Sequence, residues 1–377
     1  NLMAQLMSSV TSNLALGVNF QMMKGLLSAA RQKLPFFNGT LPGQLQKNGS
    51  TASVKWERLE NLAAATTALG EVVGSPVAFF GRSTVQNTLS TVSVAIAKYG
   101  NAVLLSEEVD LQQMNVRAAR FVDNLGANAG LSLNALMESA FSAGATTITN
   151  CRFCTSAAGG LVSTAGTVAS TDAQVVAAPT LNDIKFAVNT LNRNSAMLFT
   201  TPGYGSQNVS TSPVRASYYG ICHVDVEEDI RGLTGFVSVE QYGGYTETMP
   251  FEFGAVGGVR WSSTEIIPIS SAAGTTTAGS AGQFRGAGFT SNDVYSSYIY
   301  GKEAVGSVGL GNMHATSSYE MYDPANPPAV ELIVKPVGTV GTDLFNEVSS
   351  VAWKAWFAGK VLNANWIVKL RSLSARV

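Results

Sequence analysis

EEVDLQQMNVRAARFVDNLGANAGLSLNALMESAFSAG, residues 107–144, decides how the rest of the chain is read. Phe121, Val122, Leu125, Ala129, Leu133, Leu136, Met137, Ala140 and Phe141 recur at steps of three and four, the spacing of one buried helical face. Gly126 and Gly130 interrupt the stripe, each costing about 1 kcal/mol relative to alanine in a helix interior. The pattern predicts a helix, a joint near Gly126–Gly130, and a second helix from Leu131 to Ala143. Ser132 or Asn134 would cap that second helix and Gly144 would stop it. This stretch is the spine of the chain.

On its N-terminal side, SVKWERLE from Ser53 alternates, with Val54 and Trp56 on one face. Leu89–Tyr99 alternates again, with Val92, Val94 and Ile96 opposite Ser93, Ala95 and Ala97, and Val103–Leu105 continues it. Two strands with 61–87 between them predict an extended hairpin. The second run spans roughly 35 to 40 Å at about 3.3 Å per residue. A hairpin that long is not stable alone in water, so it needs a surface beneath it, such as another subunit's. Further upstream, Leu2, Leu6, Val10, Leu14, Val18 and Met22 form an i+4 row, with Lys24, Arg31 and Lys33 toward the end. Pro35–Ser50 is a Pro/Gly/Asn strap. The reading is an amphipathic arm tied to a body.

On the C-terminal side, 146–179 is a neutral loop or irregular β region. Thr180 opens a helix carried by Leu181, Ile184, Val188 and Leu191 and ended by Asn192–Asn194. Met197–Phe199 predicts a short strand, and 200–216 a loop. Tyr218–His223 reads as a strand feeding directly into a helix at Val224–Arg231. Asp225 and Glu228 there fit a capping box, and the acidic run favours a helix N-terminus. Residues 253–269 are Gly-rich and then strand-like, and 270–288 is a loop. Val294–Gly301 alternates, and Ala304–Leu310 extends that sheet. Residues 323–328 form a turn, and 331–337, 349–357 and 366–370 are strands. The mixture is α+β without βαβ rhythm or internal repeat.

Charged residues make up 13 % of the 377, against about 25 % in ordinary soluble domains, while hydrophobic residues stand at 46 %. The deficit is in charge, so the surface is either covered by partners or faces a membrane. A net charge of −1 gives no basic footprint for nucleic acid. No apolar run of about 20 residues predicts a spanning helix. Asn1–Met23 is uncharged but lacks the positive leading end of a signal peptide.

Three cysteines and two histidines leave little for metal or nucleophile chemistry. Cys151 and Cys154 are half a zinc site, and adjacent Cys222 and His223 on a strand point to opposite faces. Helix capping accounts for Asp225–Asp229 better than paired catalytic carboxylates do. Only His223 and His314 are present, so there is no HExxH, and there is no G-x-S-x-G elbow. Gly301–Lys302 and Gly309–Gly311 are incomplete phosphate loops. Asn38, Asn48 and Asn208 head N-x-S/T triplets that matter only in a secretory host. Trp353, Trp356 and Trp366 are read as packing rather than stacking on a ligand. No catalytic, cofactor-binding or metal residue is assigned.

GSTASVKWERLE (49–60), ATTALGEVV (65–73), YGNAVLLSEEVD (99–110), AFSAG (140–144), TLNDIKFAVNTL (180–191) and YYGICHVDVEEDIRGL (218–233) come in a telling order. GAVGGVRWSST (254–264), YSSYIYGKEAVG (295–306), VAWKAWFAGKVLN (351–363) and WIVKLRS (366–372) continue it. The series resembles the major capsid proteins of N-four-like tailed phages over most of the chain past residue 49. The neutral stretches 155–179 and 270–292 depart from the plain pattern. The resemblance implies the fold shared by tailed-phage and herpesvirus shells. It divides the chain into an N-terminal arm (1–50), an extended β-hairpin loop (51–106), a peripheral domain with the spine helix (107–178), an axial domain (179–310) and a return to the peripheral domain (311–377), with 366–372 among its closing strands.

It also implies a non-enzymatic protein that self-assembles as hexamers and pentamers into an icosahedral head around double-stranded DNA. Its expected partners are other copies of itself, portal, scaffold and decoration proteins, and packaged DNA through non-specific contact. The expected location is the virion, after assembly in the bacterial host cytoplasm, with no membrane and no cofactor. The competing readings are a cellular encapsulating shell of the same fold, an outer-membrane β-barrel, and a secreted carbohydrate-active enzyme using Asp225 or Glu228.

Overall fold

A computed structural model of the chain describes residues 34–43, 53–59, 89–106, 117–145, 172, 175, 178–199, 216–241, 251–271, 273, 293–309, 330–335 and 347–374. Residues 1–33 of the expected arm, the stretch 61–87 between the hairpin strands, the turn at 323–328 and most of the two neutral stretches lie outside the described residues. In chain order the first strands are β1 (Leu41–Gly43), β2 (Ser53–Leu59), β3 (Leu89–Ala95) and β4 (Ala97–Ser106). Helices α1 (Arg117–Ala145) and α2 (Leu181–Arg193) follow, then β5 (Tyr218–His223), α3 (Val224–Arg231) and β6 (Val237–Ser238). The chain continues through β7 (Glu252–Val256), β8 (Val259–Thr264), β9 (Tyr295–Tyr300) and β10 (Val305–Gly309). It closes with β11 (Val330–Lys335), β12 (Val348–Val361) and β13 (Ile367–Ser372).

Six strands form a sheet in the order β13-β9-β5-β8-β7-β6, antiparallel except where β5 runs beside β8. A five-stranded sheet is centred on β12. One edge of β12 pairs with β11, the other carries β4 and β10 end to end, and β1 extends β10 in parallel. β2 and β3 form a separate antiparallel ribbon, the root of the expected hairpin. Helix α1 lies between the two sheets. Its Phe141 meets Tyr298 and Tyr300 of the six-stranded sheet edge-on, at 5.7 and 5.2 Å. Its Met137 and Ala140 back onto Gly359 of β12. Helices α2 and α3 cover the other face of the six-stranded sheet, where Ile184, Leu191, Val226 and Ile230 join Trp261 and Ile299 in one apolar cluster.

The spine is one continuous helix, and the joint expected near Gly126–Gly130 is absent. Leu125, Ala129, Leu133, Met137 and Phe141 are all buried. Burying each large side chain contributes about 1.5–3 kcal/mol, which outweighs two glycines at about 1 kcal/mol each. The helix runs to Ala145, one residue past the Gly144 expected to stop it. Asn134 is not a cap but a wholly buried mid-helix residue. The helix predicted at Thr180 is present, opened by a capping box in which Asp183 accepts from Thr180 N at 2.9 Å. The ribbon keeps its predicted alternation, with Val92, Val94 and Ile96 turned inward.

Other expectations are corrected. The strap is not a loose linker: Leu34 and Phe36 are buried, and Leu41–Gly43 joins the five-stranded sheet. Met197–Phe199 is no strand, only a single bridge from Phe199 to Ser217. All six residues of β9 are buried, so its alternation sorts residues between two cores rather than between core and water. Tyr298 and Tyr300 face α1, while Tyr295 and Ile299 face α2 and α3. β10 does not extend the sheet of β9 but pairs with β12. β13, expected among the closing strands of the peripheral domain, pairs with β9 in the six-stranded sheet rather than with β12. The chain thus changes sheets at Gly301–Ala304 and again at Asn363–Trp366. Residues 253–264 fold as a hairpin, β7–β8, turning through Gly257 and Gly258 at φ +65° and +86°. Two consecutive positive φ values strongly favour glycine.

Candidate assembly surfaces

The residues singled out for chemistry do not converge. Cys222 is buried within the sheet with its thiol 3.6 Å from Ser262 O, and burial pushes that thiol well up, away from the reactive thiolate. His223, its neighbour, is the N-cap of α3: Nδ1 accepts from Asp225 N at 3.1 Å. The capping box expected of Asp225 and Glu228 is therefore replaced by a histidine cap. The strand enters the helix without a loop, so the helix starts earlier than the acidic run suggests. Glu227 is tied to Arg231 at 2.6 Å, and Asp225 lies 3.4 Å from His223. These acids serve the helix and its cap. Cys151, Cys154, His314, Asn48, Asn208 and Gly311 lie outside the described residues. Among the described residues no three His, Cys, Asp or Glu side chains gather as a metal site requires.

The tryptophans bind the framework together. Trp353 is buried and donates to Asn128 of α1 at 3.0 Å, Trp366 donates to the Asn194 carbonyl at 3.0 Å, and Trp356 lies under Lys98. Gly301 and Lys302 form the crossover between sheets, where Gly301 N donates to Trp366 O and Lys302 N to Met197 O. The Asn38 carbonyl accepts from Tyr300 OH at 2.7 Å.

The surfaces that carry the strap and hairpin are built in detail. Phe36 packs edge-on against Phe141 at 5.1 Å and Tyr298 at 5.9 Å, and its backbone N donates to Asn134 Oδ1 at 3.2 Å. Thr40 and Ser307 hydroxyls pair at 3.0 Å where β1 meets β10. The strap therefore touches α1 and both sheets. The hairpin root lies on the outer face of the five-stranded sheet, where Val54 and Ile96 pack with Val308 and Ala358. The Trp56 indole rests on Gly43 and Gly306, where a Cβ on either would come within 3 Å of it. The expectation that the hairpin needs a foreign surface is thus corrected for its root, which rests on its own body.

Between that root, the second half of α1 and the end of β12 runs a cleft of about 430 Å³. Ser139, Ala140, Ala143 and Gly144 leave it open because they are small. Lys360 is the one charged side chain among its lining residues, so it holds no set of reactive groups. Farther along the outer face, Leu104 stands 67 % exposed and Leu89 of the ribbon 49 %. Sequence reasoning did not find these positions. A short alternating run shows two faces but does not say which is covered.

Among the described residues no helix is long and apolar enough to cross a membrane, and the strands form open sheets rather than a closed barrel. No protein-family model matches the chain, and no curated protein matches its sequence. Among solved structures, the capsid of Ralstonia phage GP4 superposes with a TM-score of 0.58 at 12 % identity, over 91 % of this chain and 92 % of that one. The capsid of cyanophage P-SCSP1u gives 0.49 at 12 % identity over 89 % and 87 %. The head of Helicobacter pylori bacteriophage KHP40 gives 0.48 at 12 % identity over 91 % of each chain. On the GP4 superposition, which spans nearly the whole of both molecules, the chain has the α+β fold of a phage capsid structure.

Proposed function

We propose that this chain is the major capsid protein of a tailed phage of the N-four-like kind, assembling as hexamers and pentamers into the icosahedral head around double-stranded DNA. The observation that carries the reading is the fold likeness to the GP4 capsid over 91 % of the chain. The charge content of 13 % supports it, since flanks covered by neighbouring copies need few charges. A net charge of −1 also suits a container, because a basic inner wall would pin DNA through its phosphates. The role is structural and not enzymatic. Its partners are further copies of itself, then portal, scaffold and decoration proteins, and the packaged DNA through non-specific contact. Its place is the virion, after assembly in the bacterial cytoplasm.

In this reading 1–50 is the arm, 51–106 the extended loop, 107–178 with 311–377 the peripheral domain, and 179–310 the axial domain. β10 and β13 cross between the last two. Weak contacts multiply as the lattice closes. Light scattering and electron microscopy of the purified protein test the proposal. Closed particles of megadalton mass are expected, and a persistent monomer would refute it. Deleting residues 1–33, which spares the buried Leu34 and Phe36, should abolish or misdirect closure; normal particles from that deletion would remove the arm from the mechanism.

A further inference from the structure

The two faces of α1 are fastened differently. Toward β12 the second half of the helix makes a close apolar contact, with Met137, Ala140 and Gly144 against Gly359 and Val361, and the Asn128–Trp353 hydrogen bond lies nearer its start. Toward the six-stranded sheet the helix presents polar side chains at i, i+4 and i+8: Asn134, Glu138 and Ser142. Asn134, wholly buried, donates to Thr264 Oγ1 at 3.5 Å as well as accepting from Phe36 N. Glu138, 6 % exposed, accepts from Tyr298 OH at 2.8 Å. Ser142 accepts from Lys369 Nζ at 3.3 Å. A carboxyl in the middle of such a buried seam is not needed to cap, catalyse or bind anything described above.

We propose that Glu138 is a proton-operated fastener. Uncharged, it seals the polar file of α1 onto the six-stranded sheet; ionised, it draws water into that seam and lets the sheet shift against the unit formed by α1 and β12. The groups facing it are Tyr298 of β9, Lys369 of β13 and, on its own helix, Ser142. Beyond Tyr298 stands Arg371 of β13, paired with Asp172. From the strap, Phe36 presents only a ring against Tyr298. Lys369 lies over the Tyr298 ring at 5.6 Å, is bonded to Ser142 and attracts the Glu138 carboxylate.

The direction of the switch follows from burial. Desolvation raises the Glu138 carboxyl above its ordinary range, and the opposing pull of Tyr298 and Lys369 does not cancel it. Burial and the neighbouring carboxylate push the Tyr298 phenol up, so it remains a donor throughout the range concerned. A folded value above the unfolded one means that the native state binds the proton more tightly. The stabilisation is therefore complete below the unfolded value of about 4.3 and is lost as pH rises through the folded one.

Hydrogen–deuterium exchange on the full chain, corrected for intrinsic rates, reads the seam directly. Exchange over 131–145 and Tyr295–Tyr300 should quicken several-fold from about pH 4.5 to pH 7.5, while 353–361 stays unchanged. Glu138→Gln, which still accepts from Tyr298, should flatten that profile and melt above the parent at neutral pH, the gap closing on acidification. A pH-independent profile in the parent, or an equal response in the glutamine variant, overturns the proposal. Tyr298→Phe gives a second reading should the first variant fold poorly. Losing a donor to the carboxylate should move the transition to higher pH, whereas a purely packing role for Tyr298 leaves it in place and counts against the fastener.

Discussion

Strand β9 of the six-stranded sheet has all six residues buried, whereas β4 of the five-stranded sheet alternates and leaves Leu104 67 % exposed. Both strands pack one face toward α1. The difference lies on their other faces: helices α2 and α3 close the six-stranded sheet from within the chain. Among the described residues, the outer face of the five-stranded sheet is covered by its own hairpin root where Gly43, Gly306, Val308 and Ala358 lie. Beyond that, Leu104 and the half-buried Ala352 and Ile333 sit on strands that pair across β12. The central strands of the six-stranded sheet are thus covered on both faces from within the chain, while the five-stranded sheet leaves Leu104 open on its outer face.

Substitutions in the two halves should therefore separate stability from assembly. Trp261→Ala, in the wholly buried core beneath α2 and α3, should cost about 3–5 kcal/mol in urea unfolding. A loss under 1 kcal/mol would mean that the six-stranded sheet is less self-sufficient than its burial implies. Gly144→Val drives a side chain into Val361 at the close approach of α1 to β12, and about 1–3 kcal/mol is expected from overpacking. An unchanged denaturation midpoint would show that this contact has slack. Leu104→Ser should shift the unfolding free energy of the body by no more than about 0.5 kcal/mol, yet lower the yield of closed particles on size exclusion. Full assembly of that variant would show that the outer face is not an interface and would erase the contrast between the sheets.

The parts that were legible from residues alone are those whose burial follows one period. The α1 stripe, the Thr180 helix, the ribbon strands and the direct passage from Tyr218–His223 into Val224–Arg231 all obey local rules. What stayed hidden depends on neighbours far away in sequence. Gly126 and Gly130 predict a joint until the two flanking sheets are in place to hold the helix straight. YSSYIY does not reveal that both of its faces are inside. β10 and β13 change sheets because their pairing partners lie 48–56 and 67–77 residues away, at 357–361 and 295–300 respectively. His223 reads from the residues alone as a poor metal ligand, and its cap role stays hidden because histidine nitrogen accepts from a helix amide as a cap oxygen does. The strap shows the same gap: turn-forming residues announced a linker, and only the tertiary partners of Leu34 and Phe36 made it part of the core.

That strap also sets a mechanical path. Leu34–Gly43 is bonded to the spine through Asn134, to one sheet through Tyr300 and to the other through β1, with no slack segment between these anchors. A pull applied at Leu34 is consequently shared by α1 and both sheets at once instead of peeling away one edge.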